Sequence, residues 1–199
     1  MTMTNTPTPT EPVARPGEPV DRFRSRAETF AAVLAAALGR WDAPSPCRGW
    51  TARDVVGHVL ATERDFLASH LLPVGPEPDL TDPAAAWRRH VAAVLAALSE
   101  PGVADRTYDG FFGPTTVGRT LAEFYGWDLA IHAWDVARAT GQRWSIPEAE
   151  IAELSRTADG WGDALYAEGI CGPAVAVAAD APPADRLLAR LGRDPRWRP

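Results

Sequence analysis

The sequence predicts an all-α fold, a helix bundle with a short helical C-terminal extension, and three observations carry that prediction. Apolar residues recur three and four apart in four long segments, Pro, Gly and capping residues bound those segments, and no convincing sheet can be read between them. Amphipathic helices without a sheet must bury their stripes on one another. The 199 residues suffice for one domain with a single core. That domain is expected over residues 20–199, behind a Thr- and Pro-rich stretch at 1–19 that has almost no large apolar side chains and reads as a disordered tail.

The first helix is expected from Asp21 to Trp41, with Phe23, Ala27, Phe30, Leu34, Ala37, Leu38 and Trp41 as its stripe and Pro44 and Pro46 beyond its end. Thr51 opens the second as N-cap, Asp54 stands at N3 as the capping-box acid, and Trp50 can staple onto Val55. This helix runs to about Ser69 on Val56, Val59, Leu60, Phe66 and Leu67. His58 lies off that stripe with Asp54, Thr62 and Asp65, on a side that either lines a polar cleft or is simply solvated. The third helix spans Pro83 to Ser99, capped by Thr81 or Asp82, with Trp87, Val91, Val94 and Leu98 inward and His90 a boundary residue. An irregular stretch, PGVADRTYDGFFGPTTVG, follows; its Tyr108, Phe111 and Phe112 can fold back on the core, and the loop can roof a pocket.

The central segment is GRTLAEFYGWDLAIHAWDVARATG, from Gly118 to Gly141, where a left-handed C′ residue is expected. At about 100° per residue, Asp128, His132 and Asp135 fall within roughly 60° of one another, on the face that also carries Leu121, Phe124 and Tyr125. Buried carboxylates need compensation, and a cation is the common compensation for a carboxylate–imidazole set. The alternatives are a helix-surface pair or a hydrogen-bonded core histidine between Trp127 and Trp134. Asp135 either orients a ligand imidazole or pairs with an Arg of a neighbouring helix, and Arg138 reads as a helix C-terminal cation. Beyond Gly141, Ser145 is expected to cap a helix from near Pro147; AVAVAA suggests a short extended piece, and Ala184 to Leu191 a last helix.

A net charge of -6 and the lack of a basic stripe argue against a nucleic-acid partner. No apolar run approaches a membrane span, and the N-terminal segment lacks the pattern of a secretory signal, so a cytoplasmic protein is expected. Cys47 and Cys171 make no disulfide framework; Cys47, in PSPCRGW, is either a reactive thiol or a small buried apolar residue.

PSPCRGWTARDVVGHVL, DLAIHAWDVARATG and the closing LLARLGRDPRW together resemble the metal-binding bundles of the DinB-like superfamily, of the mycothiol-dependent maleylpyruvate isomerase type. The resemblance implies that a His of the second helix joins an acid-x3-His pair of the fourth to hold a divalent metal, zinc being expected. His58 matches the first ligand, Asp128 the acid and His132 the last, and on this account the polar side of His58 faces the cleft. The isomerase carries Glu where this chain has Asp128, which must draw the ion closer to the helix. Two imidazoles and a carboxylate suit Zn²⁺ and leave a position for water, thiol or substrate. The activity implied is a thiol-dependent isomerase or transferase, with mycothiol as cosubstrate and a small electrophile as substrate. The rival readings are a metal-dependent hydrolase and a non-catalytic metal-binding or dimerising bundle, with a homodimer left open. The residues after about Tyr166 are too few for the second domain of the isomerase type, which argues against maleylpyruvate itself.

Overall fold

The computed structural model describes residues 17–73, 75–167 and 170–199. Its helices are α1 (Glu18–Ala35), α2 (Ala52–Ser69), α3 (Pro83–Ser99), α4 (Val117–Thr120), α5 (Gly126–Ala139), α6 (Glu148–Trp161) and α7 (Pro183–Arg190). A π turn (Leu121–Tyr125) joins α4 to α5, and a 3₁₀ turn (Gly162–Tyr166) follows α6. The all-α bundle with a helical C-terminal extension is therefore the architecture of this chain. Most of the expected tail lies outside the described residues, but Glu18 and Pro19 already belong to α1, whose N-cap Gly17 has φ 85.

Local chemistry sets several of these boundaries. At the start of α2, Thr51 accepts from the Asp54 backbone N–H while the Asp54 carboxylate accepts from Thr51, which satisfies otherwise orphaned donors from both sides. Asp82, rather than Thr81, caps α3 by accepting from the Ala85 N–H. The first helix ends at Ala35, six residues before the expected Trp41. Leu38 then takes φ 51 and is 87% exposed, whereas Ala37 and Trp41 are buried through the turn that replaces the helix. No side chain caps α6: Pro147, not Ser145, stands at its N-cap. AVAVAA adopts no strand.

Two features depart from the helical reading. Thr107–Gly110 and Gly113–Thr116 form an antiparallel hairpin, β1–β2, in the stretch expected to be irregular. Its tip exposes Phe111 and Phe112 instead of folding them onto the core. The second departure is the π turn. It holds an extra residue, so a uniform helical wheel drawn from Gly118 onward loses its phase before Gly126. Leu121 is fully buried while Phe124 is largely exposed, although the wheel put them on one face with Asp128.

The helix α5 stands between two apolar clusters. Leu129, Ala133, Val136 and Ala137 join α1, α2 and α3 in the larger one, around Phe23, Phe30, Leu60 and Trp87. Trp127, Ala130, Ile131 and Trp134 face α6 and α7 through Ile151, Leu154, Leu187 and Leu188. Gly126, Ala130, Ala133 and Ala137 are thus part of the contact surface of a helix buried nearly all round. Arg26 ties α1 to both neighbours, donating to the Ala122 carbonyl of the π turn and pairing with Glu150 and Glu153 of α6. A Cβ at Gly126 would stand 3.3 Å from the Arg26 stem and from the Leu121 carbonyl, so a glycine lets α1 approach the π turn.

Candidate metal centre

The sector of α5 that belongs to neither apolar cluster carries Asp128, His132 and Asp135, at regular helical spacing beyond the π turn. His132 is buried, with Nε2 3.4 Å from the Asp128 carboxylate and Nδ1 bonded to Asp135 Oδ2 at 2.9 Å. From α2, the half-buried His58 stands edge-on to His132 with ring centroids 5.3 Å apart. Trp50, just before the α2 cap, packs on the other side of His58 at 4.9 Å. One donor atom each from His58, Asp128 and His132 lies within 4.8 Å of the others. His58 thus faces α5 and not open solvent.

A second group overlaps the first through His132: donor atoms of Cys47, His132 and Asp135 also lie within 4.8 Å of one another. The loop before α2 places Cys47. Ser45 and Trp50 exchange a backbone hydrogen bond across it, the Ser45 hydroxyl accepts from the Cys47 N–H, and Pro44 bridges to Thr51. The Cys47 thiol donates to Asp135 Oδ2 at 3.2 Å. From beyond α7, Arg193 reaches the same carboxylate, with its Nη2 3.1 Å from Oδ2 and 3.8 Å from the Cys47 sulfur. Asp135 therefore bonds the His132 ring and pairs with an arginine at once, and that arginine comes from beyond α7 and not from the expected neighbouring helix.

The electrostatics follow from these contacts. Burial opposes charge on Asp135, but the Arg193 guanidinium and the His132 bond overcome it and hold the carboxyl well below the usual range. Burial likewise opposes a charged His132, yet the Asp128 carboxylate and the Asp135 bond raise it well above the ordinary value of 6.5. Burial and the neighbouring His132 push His58 down, so at neutral pH it is a free base ready to donate a lone pair. The donors fit a borderline divalent cation: two imidazoles and a carboxylate, one imidazole oriented from behind by a carboxylate.

Sequence reasoning reached His58, Asp128, His132 and Asp135 but not Arg193, whose only signal was its place in the LLARLGRDPRW tail. It also missed the partner of His90. That histidine is buried, not a boundary residue; its Nε2 meets the Glu63 carboxylate at 2.8 Å, and neither residue belongs to either donor group. Arg138 stacks over the Trp134 ring at 5.2 Å.

Residues 20–137 match the family described as the mycothiol maleylpyruvate isomerase N-terminal domain, a span that runs from within α1 to within α5 and holds all three donors of the first group. Two uncharacterized proteins of Mycobacterium tuberculosis, from strain CDC 1551 / Oshkosh and strain ATCC 25618 / H37Rv, are each 29% identical over 188 residues, covering 90% of this chain and 100% of their own. No solved structure gives a significant match. Among the described residues, no helix is long and apolar enough to cross a membrane.

Proposed function

Because the chain belongs to the mycothiol maleylpyruvate isomerase N-terminal domain family, we propose that it is a cytoplasmic, metal-dependent isomerase or transferase that uses a low-molecular-weight thiol, mycothiol, on a small electrophile. The observation that carries this reading is the convergence of His58, Asp128 and His132 within 4.8 Å. These three would hold the ion, with zinc favoured by their mixed nitrogen and oxygen donors. When bound, such an ion lowers the pKa of a coordinated thiol and polarises a carbonyl. The Cys47, His132 and Asp135 group is the weaker candidate, because Arg193 and the two internal hydrogen bonds already neutralise and satisfy Asp135.

The chain's own residues prepare the site. Asp135 fixes His132 Nδ1 and leaves Nε2 for the ion, Arg193 keeps Asp135 ionised, and Trp50 restricts the His58 ring. In the reaction, a thiol gives up its proton and its sulfur adds to the electrophilic carbon of a conjugated carbonyl. An S–C bond forms while the C=C pair moves onto the carbonyl oxygen. Rotation about the resulting single bond and expulsion of the thiolate complete an isomerisation with no net oxidation. Protonation of the adduct completes a transfer.

The test uses Co²⁺-substituted protein in a Cys47→Ser background, so that the chain's own thiol near His132 gives no signal. Adding mycothiol should produce sulfur-to-cobalt charge-transfer absorption and release a proton. Absence of both would leave a metal-binding bundle without thiol chemistry.

A further inference from the structure

A cleft of about 610 Å³ opens between the β1–β2 hairpin, the π turn, and the α6–3₁₀ segment. That is the volume of a small-ligand site. Its walls are aromatic: Phe66, Tyr108, Phe112, Phe124, Tyr125 and Trp161. Four lining residues, Phe111, Phe112, Phe124 and Ile170, are among the exposed large apolar side chains of the molecule, so water-exposed apolar surface is concentrated at this concavity. Its lining cation, Arg119, lies 3.0 Å from the carboxylate of Glu123, which also lines the cleft and offsets its charge.

The polar groups inside differ in one respect. The Tyr108 hydroxyl is engaged with Thr120 at 2.6 Å. The half-buried Tyr125 hydroxyl has no hydrogen-bond partner among the described residues, while its ring is packed against Phe66 at 5.1 Å and Phe124 at 5.1 Å. Burial, followed by the charges of Glu63 and other neighbours, Asp128 among them, keeps it protonated. A phenol that lines a cleft and bonds to no described protein group is a donor that can meet an acceptor there. Tyr125 precedes Asp128 by one helical turn, about 4.5 Å along the axis, so the cleft adjoins the carboxylate end of the metal-donor set.

We infer that this cleft binds an aryl-bearing carbonyl compound, its apolar body among the aromatic walls and its carbonyl oxygen accepting a hydrogen bond from Tyr125. The identity of that compound as the electrophile, a conjugated aryl ketone or aldehyde and not a small dicarboxylate, rests on the thiol-dependent reading above. The binding site itself does not.

Benzylacetone, an aryl ketone that does not react with thiols, is the probe, and maleate is the dianionic comparator. Calorimetry should show saturable one-to-one binding of benzylacetone and none of maleate. Tyr125→Phe, which keeps the ring and removes the donor, should weaken benzylacetone about fivefold. Phe112→Ala, at the exposed hairpin tip, should weaken it about threefold or more. Leu38→Ala, at an exposed position that does not line the cleft, should leave it unchanged. Absence of saturable binding, affinities equal in Tyr125→Phe and wild type, or tighter binding of maleate would overturn the assignment. So would wild-type self-association in sedimentation equilibrium that Phe112→Ala abolishes while benzylacetone fails to bind, since the surface would then belong to a second copy. Loss of the metal reading would appear separately, as wild-type protein that binds benzylacetone but no divalent ion.

Discussion

His132 with Asp135 and His90 with Glu63 are both buried imidazole–carboxylate pairs, bonded at 2.9 Å and 2.8 Å. Their surroundings separate them. Asp135 also accepts from Cys47 and Arg193, and the guanidinium pulls its pKa down against burial. Glu63 has only His90, its Oε1 has no hydrogen-bond partner among the described residues, and burial pushes its pKa up. The free edge of His132 meets Asp128 and His58, whereas the His90 ring lies against Trp87. A buried histidine–carboxylate pair is therefore not in itself a metal site. What sets the His132 pair apart is a countercharge behind its carboxylate and further donors in front of its imidazole.

The largest expected effect tests that distinction directly. His132→Ala or His58→Ala should reduce zinc affinity by more than about 100-fold, beyond what loss of an orienting residue costs, with the helices intact on their own apolar stripes. His90→Ala should leave zinc binding unchanged and instead lower stability by about 1–3 kcal/mol, because it leaves the Glu63 carboxyl without its partner. Metal analysis and denaturant unfolding of the three variants read both halves. Zinc loss in His90→Ala with a folded bundle would erase the contrast.

Next in size are the carboxylates. Asp128→Asn removes a charge in front of the imidazole and Asp135→Asn the one behind it, and each should weaken zinc by about 10- to 100-fold. Glu63→Gln should change it by less than about threefold, since the amide still accepts from His90 and Glu63 contributes to neither donor group. Competition titrations with a chromogenic chelator would rank the three.

How much of this contrast the sequence reveals depends on whether the contacts are local. The capping box at Thr51 and the Asp128, His132, Asp135 sector lie within single helices, where spacing alone places side chains on a face. His58 needed the family resemblance, because periodicity on α2 left its side open between cleft and solvent. The pairing of Glu63 with His90 joins α2 to α3 across the core, and Arg193 reaches Asp135 from a tail 58 residues away, so neither is encoded by any local period. The π turn escaped for a different reason. An extra residue inside a helix keeps helical composition while changing phase, and the exposure of Phe124 is its visible consequence.

Above the ordinary carboxylate range both pairs lose stability as pH rises, and metal should reverse the trend at one of them only. For His132 the folded-state value lies above 6.5, so its contribution is complete below 6.5 and is lost as pH climbs through the raised value. Glu63 behaves alike because its folded-state value is also raised: its contribution is present below 4.5 and lost above. Asp135 has the opposite sign, present above 3.8 and lost as acid protonates it. Zinc must displace the proton that His132 holds at Nε2, while His58 is already neutral. Zinc affinity should therefore fall about tenfold per pH unit below the raised His132 value, with one proton released per ion. Melting temperatures against pH, with and without zinc, should diverge as pH rises. Parallel curves would mean that His132 is not a ligand.

The smallest expected effect is at Cys47, and it decides between the two overlapping donor groups. The thiol donates to Asp135 Oδ2 at 3.2 Å, a role that a serine hydroxyl can also fill. If the ion belongs to His58, Asp128 and His132, Cys47→Ser should shift zinc affinity by less than about threefold and stability by about 0.5 kcal/mol. Co²⁺ added to the wild type without external thiol should then show no sulfur charge-transfer band. If instead the ion sits with Cys47, His132 and Asp135, the wild type alone should show that band and the serine variant should lose both the band and most of its affinity. Arg193 argues for the first outcome. A divalent ion at Asp135 would stand beside a guanidinium 3.1 Å from the same oxygen, whereas at Asp128 it would meet a carboxylate whose nearest buried cation is the proton on His132, which it replaces.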